Sequence, residues 1–562
     1  MSAQMKKSLA VQGSILAIAG LITKVIGFIY RIPMSNILGN VGNGLYSVAF
    51  GIYNIALTLS SYSMPLAVSK LMSARLAKGQ YKNAYRLFRC ALIFAIITGT
   101  IACCVLFFGA EVLAALYEKQ GLEWPLRVLA PTVFVVALLG TCRGFFQGHR
   151  NMVPTAVSQV IEQIVNAIVS VAAAWFFAKI ATERSGAVDG NVPAAAAAAG
   201  GTLGTFAGAF MALLMFVILS LGRQKARKIE LSGEDLADED YALLVKAILL
   251  TVFPVILSQT IYQIGYTLDD LFFGKLMVQK NFEDIVAAMP EAFHSKTFQK
   301  NTTCENIVTS MQGVFNTQYN QMVNLPVAIA TAMASATLPS IVASFARGEI
   351  DRVKEKISSV LKINMLIAIP AAAGLAALAE PVMGVLFPRL GEYMPVAVML
   401  LRTGSVAVVF YALSTLTTSI LQGSDRMRLP VIHSAISLTI HVILIAVCTR
   451  YTNLSVYGLI IGNVSFPLLV CTLNCRAVAK RVGYRFEWKN TFLKPALASV
   501  VMGVAAFAVY TILRPVLGMF VAMIAAMAAA VAVYGGMLMV LKAVTVTELR
   551  AMPLIGKFFR KK

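Results

Sequence analysis

Two cations lie within a long apolar segment near the start of the chain. Lys24 and Arg31 are seven residues apart, so in a helix they share one face. Small residues occupy the rest of this face at helical spacing: Gly13, Ala17, Gly20 and Gly27. A charge at the bilayer centre costs at least about 2.5–3.5 kcal/mol and needs a partner or a wet cavity. The two cations are candidate ligands for phosphate oxygens, and the alternative is a close-packed seam whose cations reach the membrane surface.

A second polar face carries the opposite charge. Within the apolar segment 243–277, polar residues recur at spacings of four, three and four: Gln259, Gln263, Tyr266 and Asp270. Asp269 lies beside Asp270, and the helical period favours Asp270 as the carboxylate on this face. Such a carboxylate can bind a proton or another cation that resets an empty carrier. The segment is longer than a bilayer core requires, and we expect it to bend at Pro254 and Gly265.

Two further charges lie inside apolar segments. Glu162 is a candidate acidic group of the same cavity, and Arg402 is a third candidate cation for substrate binding. Both also have a structural interpretation. Glu162 could bond a neighbouring helix, and Arg402 could form a salt bridge between two halves of the protein.

Long apolar helices must position these charges. The chain of 562 residues is 58% hydrophobic and 13% charged, with a mean hydropathy of +0.76, which excludes a soluble enzyme. About 20 apolar residues cross a bilayer, and the sequence predicts fourteen such segments. They lie near 9–31, 44–66, 88–115, 125–147, 153–180, 194–221, 243–277, 312–345, 359–387, 393–421, 430–450, 455–478, 493–513 and 516–541.

The net charge of +22 follows the connecting segments. With the N-terminus inside, 33 of the 48 Lys and Arg residues fall in segments on the inner side. The positive-inside rule therefore predicts that both termini are cytoplasmic. Because the cations are divided among eight inner segments, the sequence does not predict nucleic-acid binding. The eight cysteines and four histidines give no metal-site spacing, and we expect no metal.

The chain contains two related halves. The segments 147–154 and 422–430 share Gln-Gly and a following Met at matching positions, and Pro65 and Pro339 precede them by 82 and 83 residues. Both prolines, together with Gly27 and Pro254, are predicted bending or gating points. The sequence thus predicts parallel six-span repeats, as in transporters that alternate access around a central site. The predicted division is an N-lobe at 1–222, a cytoplasmic linker at 223–242, a C-lobe at 243–480 and two further spans with a basic tail at 481–562.

These motifs resemble a known group. The chain is similar to the multidrug/oligosaccharidyl-lipid/polysaccharide exporter superfamily, and within it to stage V sporulation protein B-type polysaccharide transporters, relatives of the lipid II flippases. The residues that carry the resemblance are 23–31, Pro65, Phe146-Gln147-Gly148 with Pro154, and Leu421-Gln422-Gly423 with Pro430. The resemblance implies two six-helix lobes around a cavity for a lipid-linked sugar, and it selects Asp269 as the family's acidic residue, because Gly274 follows five residues later. The acidic residue that flippases carry after the first-span arginine is replaced here by Ile32-Pro33.

The sequence therefore predicts an all-α polytopic membrane protein with 14 transmembrane helices, two six-helix lobes around a central cavity, and two appended helices. The expected function is a flippase in the bacterial plasma membrane that moves a lipid-linked (polyprenyl diphosphate) oligosaccharide outward, driven by membrane potential or by Na⁺ or H⁺. We expect a monomer among membrane lipids that needs no cofactor. The alternatives are a cation-coupled multidrug exporter, a membrane-embedded enzyme of polysaccharide assembly, and a scaffold that only binds assembly enzymes. The absence of a GxxxxGK phosphate loop argues against direct use of ATP.

Overall fold

The computed structural model describes residues 3–61, 63–185, 191–222, 239–287, 289–424, 426, 428–452 and 454–543. Regular structure in these ranges is helical, as the long apolar segments predict. Most of the predicted linker at 223–242 and the chain beyond 543 lie outside the described residues. The chain forms two compact units. Unit 1 comprises residues 1–286 and 295–317, and unit 2 comprises residues 287–294 and 318–562.

Unit 1 is built mainly from long helices. They are α1 (Ala3–Ser60), α2 (Met64–Leu76), α3 (Tyr81–Phe108), α4 (Ala110–Leu116), α5 (Glu123–Gly148), α6 (Val153–Ser185), α7 (Asn191–Gly222), α8 (Tyr241–Val278), α9 (Phe282–Ala287), α10 (Lys296–Asn301) and α11 (Cys304–Gly313). The predicted outer loop at 278–311 thus contains three short helices. The division of the chain into an N-lobe and a C-lobe stays a prediction.

Helix α1 contains the first predicted span and most of the second, whose last residues lie in α2. It runs for 58 residues and is interrupted at Gly39, where φ is 67° and ψ is −176°. This backbone conformation lies in a region that side chains with a Cβ rarely adopt, so glycine permits the break. Pro33 is accommodated inside the helix six residues earlier. The sequence predicted a loop near 32–43, and the structure reduces that loop to one non-helical residue.

The small residues of α7 pack against α6. A Cβ atom on Gly200 would lie 2.4 Å from the Ala173 carbonyl oxygen, and one on Gly204 would lie 2.1 Å from Ser170 Oγ. A Cβ atom on Gly208 would lie 2.4 Å from the carbonyl oxygen of Glu162. The four-residue spacing of these glycines is typical of a small-residue packing face, and the contacts hold α7 against the helix that carries Glu162.

The chain passes from unit 1 to unit 2 inside one helical stretch. Helix α11 continues through a π-helical turn, Val314–Tyr319, into α12, Asn320–Ala346. The boundary between the units, at 317/318, falls within this turn. The predicted span 312–345 therefore has its first residues in unit 1 and its remainder in unit 2.

Unit 2 contains the remaining helices. They are α12, α13 (Ile350–Ala377), α14 (Ala379–Leu386), α15 (Met394–Gly404), α16 (Ala407–Gly423), α17 (Arg428–Tyr451), α18 (Tyr457–Val482) and α19 (Lys494–Val540). Helix α19 holds both of the last two predicted spans and breaks at Gly518, where φ is 73°. The sequence placed this break at Arg514-Pro515, which is wrong by a few residues, because Pro515 stays inside the helix while Gly518 takes the positive φ.

Nine helical stretches among the described residues are long and apolar enough to cross a membrane. Two of them, of 59 and 53 residues, are each long enough for two crossings. The predicted span at 393–421 is divided, because the stretches Pro388–Gly404 and Ala407–Gly423 meet at a bend of 47°. The all-helical class is confirmed, and the count of fourteen spans stays a prediction.

Candidate functional site

The two cations of α1 lie on a largely exposed stretch of the helix, which includes apolar residues such as Val25 and Ile29. Lys24 is exposed. Arg31 also keeps an exposed surface, although its guanidinium interacts with the hydroxyls of Tyr30 and Tyr46, and both tyrosines are buried. Arg31 therefore combines an exposed surface with polar contacts to the protein. The Tyr30 hydroxyl also accepts a hydrogen bond from Asn166 Nδ2 at 3.3 Å, which holds the ring in place.

The same face of α1 meets α6 at a glycine. A Cβ atom on Gly27 would lie 3.2 Å from Gln163 Nε2. Because Gly27 lies between Lys24 and Arg31 on this face, the polar side chain of Gln163 can approach the α1 backbone closely. This contact places the Gly27 face of α1 toward α6, the helix that bears Glu162.

Glu162 is occupied by an ion pair. Arg143 on α5 donates to Glu162 Oε2 at 2.6 Å, and the Arg143 Nε atom donates to Ser158 Oγ at 3.1 Å. The two charged side chains are 15% and 26% exposed, so the pair is largely shielded from water. Tyr53 of α1 lies close enough to Glu162 to interact with its charge. The sequence allowed Glu162 to be either an acidic group of the cavity or a partner of a neighbouring helix. The ion pair with Arg143 of α5 is a contact of the second kind.

Arg143 was missed by the sequence analysis. It lies within the predicted span 125–147 but was not selected as a candidate, and the structure places it inside α5, which continues to Gly148. The signal was its distance of four residues from the Gln147-Gly148 turn. A residue one helical turn before the end of a span can point into the protein as easily as into water.

Asp270 is held by the stretch that leads into unit 2. Its Oδ1 atom accepts from Asn316 Nδ2 at 2.7 Å, and its backbone carbonyl accepts from Gln312 Nε2 at 2.7 Å. Asp270 is 8% exposed, whereas Asp269 is half-buried. A Cβ atom on Gly51 would lie 3.8 Å from Asp270 Oδ2, so this carboxylate faces the second half of α1.

Lys119 is a buried cation that the sequence analysis did not select. It lies in the loop between α4 and α5, is 3% exposed, and donates from Nζ to Thr309 Oγ1 at 2.8 Å. Burial lowers the pKa of Lys119 to about 8, and the charges of Asp270 and Glu305 oppose this shift only in part. No sequence signal marks the residue, because its burial depends on α11 packing over the loop.

The remaining predicted site residues are dispersed. Gln259 and Gln263 of α8 are half-buried. Arg402, in the last turn of α15, is exposed and belongs to unit 2. Pro65 lies in the first turn of α2, where its ring would be 3.4 Å from a Cβ atom on Gly140 of α5. Three predicted residues have side chains outside the described part of the structure: Tyr266, Pro254 and Pro339.

Two family models match the sequence. One, described as "Polysaccharide biosynthesis protein", matches residues 9–345, which is more than half of the chain. The chain belongs to the polysaccharide biosynthesis protein family. The second, described as MatE, matches residues 317–447.

Curated relatives agree with this assignment. The chain is 25% identical to the lipid II flippase MurJ of Bacillus subtilis over 521 residues, which cover 90% of this chain and 88% of the relative. It is 24% identical over 558 residues to stage V sporulation protein B of the same organism, covering 98% and 99%. The predicted membership in the multidrug/oligosaccharidyl-lipid/polysaccharide exporter superfamily is confirmed.

Solved structures share the fold. A lipid II flippase MurJ in an inward closed conformation aligns with a TM-score of 0.63 at 14% identity, covering 93% of this chain and 97% of that one. An inward-facing multidrug resistance MATE family transporter aligns with a TM-score of 0.60 at 15% identity, covering 82% and 94%. The protein is therefore a multi-pass membrane protein with the fold of flippases and exporters.

Proposed function

We propose that the protein is a flippase that moves a polyprenyl diphosphate-linked oligosaccharide or cell-wall precursor from the inner to the outer leaflet. The cationic face of α1 carries this proposal. Lys24 and Arg31 lie on one helical face, and Arg31 interacts with the hydroxyls of Tyr30 and Tyr46. A diphosphate offers several anionic oxygens, which guanidinium and ammonium groups bind with charge-assisted hydrogen bonds.

Arg31 and Arg143, both in unit 1, differ in their interactions in a way that supports this assignment. The positive charge of Arg143 is matched by a carboxylate at 2.6 Å. The side-chain interactions of Arg31 are with neutral tyrosine hydroxyls, which leave its full positive charge for a ligand. A positive charge that no carboxylate neutralises is costly within an apolar helix. An anionic headgroup that binds during the transport cycle would neutralise it.

The membrane potential can drive the proposed movement. An elementary charge that crosses the membrane gains about 2.3 kcal/mol per 100 mV. With the inside negative, outward movement of two phosphate charges would gain roughly 4–5 kcal/mol. Asp269 or Asp270 would bind the Na⁺ or H⁺ that resets the empty carrier. The proposal also includes four further features: fourteen spans, cytoplasmic termini, action as a monomer and a contribution of Arg402 to substrate binding.

Reconstituted vesicles provide the test. Arg31→Ala and Lys24→Ala should each slow transfer of a fluorescent lipid-linked oligosaccharide by about tenfold or more, since a hydrogen bond to a charged group contributes about 1.5–3 kcal/mol. Lys179→Ala is the matched control, because Lys179 is an exposed lysine on α6. Transfer at the wild-type rate in both α1 variants, with equal protein in the vesicles, would reject the cationic face as the substrate site.

The MatE match to residues 317–447 favours a second candidate, a cation-coupled multidrug exporter. Such a carrier would bind hydrophobic cations, which the positive face of α1 would repel. The same vesicles distinguish the two, because a drug exporter would move a fluorescent cation and leave the lipid-linked sugar in place. The third alternative, an enzyme of polysaccharide assembly, is tested by chromatography of the lipid recovered from the vesicles. An enzyme would convert the lipid-linked sugar to a modified product.

A further inference from the structure

Helix α11 is fastened to the loop between α4 and α5 by two polar contacts. Lys119 Nζ donates to Thr309 Oγ1 at 2.8 Å, and the Gln120 backbone N–H donates to Glu305 Oε1 at 2.6 Å. We call these two contacts the outer latch, since the distribution of basic residues predicts that this end of unit 1 faces outward. All four residues belong to unit 1.

The latch lies over a close contact between helix backbones. A Cβ atom on Gly44 of α1 would lie 2.1 Å from the Thr309 carbonyl oxygen, and one on Gly313 would lie 2.6 Å from the Gly44 nitrogen. Thr309 therefore bonds Lys119 through its side chain while its backbone presses against α1. If α11 moves away from α1 while the loop that carries Lys119 stays in place, the bond between Thr309 and Lys119 breaks.

The charges around Lys119 come from three elements. Asp270 of α8 and Glu305 of α11 attract its ammonium group, and Tyr117 of its own loop interacts with Asp270. Asp269 adds a second negative charge that acts on Asp270. Despite these anions, burial dominates the electrostatics of Lys119, because desolvation penalises its charged form more than the two carboxylates stabilise it.

We propose that Lys119 makes the outer latch sensitive to protons: protonation of its amine favours release of α11 and entry of water, and loss of the proton favours the closed contact. The inference rests on the proposed function only for its consequence in transport, which is that the pH at the outer face would set how readily the outer end of unit 1 opens.

Thermodynamic linkage gives the sign and the size of the effect. In the closed latch the pKa of Lys119 is about 8, below the ordinary lysine value of 10.5 that a hydrated amine would regain. The closed form therefore binds fewer protons, and the equilibrium shifts toward closure as pH rises. Between pH 7.5 and 9.5, titration of the Lys119 amine should raise the closed-to-open ratio about twentyfold.

Hydrogen–deuterium exchange of the intact protein in lipid nanodiscs tests this proposal without any substrate. The measured quantity is the protection of residues 304–313, corrected for the intrinsic exchange rate at each pH. The wild type should gain about twentyfold protection between pH 7.5 and 9.5. Lys119→Met should lose this dependence, because it removes the titrating amine and keeps much of the volume.

Two further variants keep the test decisive. Lys300→Met alters an exposed lysine on α10, and it should retain the wild-type dependence on pH. Lys119→Arg keeps a permanent charge, so its α11 segment should be weakly protected throughout the range. Equal pH dependence in the wild type and in both Lys119 variants would overturn the proposal. The exchange experiment measures no transport, so this outcome would not contradict the proposed flippase activity. Conversely, a failure to detect flipping would not contradict the proposed latch.

Discussion

Glu162→Gln should destabilise the protein far more when Arg143 is present than when it is absent. The variant keeps the size of the side chain and removes the charge that Arg143 contacts at 2.6 Å. Removing one member of a fully buried ion pair costs about 3–5 kcal/mol, whereas exposed pairs contribute about 0–1 kcal/mol. With side chains 15% and 26% exposed, this pair falls between the two cases, and we expect a coupling energy of about 2 kcal/mol.

A double-mutant cycle measures this coupling. The cycle uses Glu162→Gln, Arg143→Met and the double variant, with unfolding followed by SDS titration in mixed micelles. Arg127 and Glu111 give a matched control pair in the same unit, at the same distance of 2.6 Å but with side chains 43% and 74% exposed. The control pair should couple by at most about 1 kcal/mol.

The result also bears on function. A coupling energy near 2 kcal/mol would mark Glu162 as a structural partner of Arg143. A value below about 0.5 kcal/mol, no larger than that of the control pair, would refute this reasoning. It would return Glu162 to the set of carboxylates available for binding a proton or another cation.

Three further predictions concern stability. Gly204→Val should destabilise the protein by about 1–3 kcal/mol in the same unfolding assay, because even a Cβ atom would lie 2.1 Å from Ser170 Oγ; a neutral result would contradict the close packing. Gly518→Ala should cost about 1–2 kcal/mol because φ is 73°, with Gly535→Ala, which has open space and no positive φ, as the control. The free energy of unfolding of the wild type, relative to Lys119→Met, should rise by about 1.4 kcal/mol from pH 7 to 9, since its folded pKa of about 8 lies below the unfolded value. Parallel pH profiles would contradict this burial of the amine.

Local properties of the sequence predicted much of the fold. Long apolar segments sufficed to predict the helical class. The spacing of Gly200, Gly204 and Gly208 indicates a packing face on α7, but it does not identify α6 as the partner. The breaks were harder, because Pro33 and Pro515 stay within helices while Gly39 and Gly518 adopt positive φ. Apolar content does not reveal which of two neighbouring residues will take a non-helical conformation.

The arrangement of side chains along a single helix could be predicted from the sequence. The cationic face of α1 follows from a spacing of seven residues, and the burial of Asp270 relative to Asp269 follows from the period of α8. The contact partners of these side chains could not be predicted, because the two members of each pair are far apart in the chain. Arg143 is 19 residues from Glu162, and Lys119 is 190 residues from Thr309. Such pairs are set by tertiary packing, which a single sequence does not display.

The most direct test of the flippase proposal is leaflet transfer by the purified wild-type protein. Vesicles would carry a fluorescent polyprenyl diphosphate-linked oligosaccharide, and a membrane-impermeant quencher would report its leaflet with and without an imposed potential. We expect transfer that depends on the protein and accelerates when the compartment from which the anion leaves is negative. Equal quenching in protein-containing and empty vesicles, with the protein shown to be folded, would contradict the proposed function.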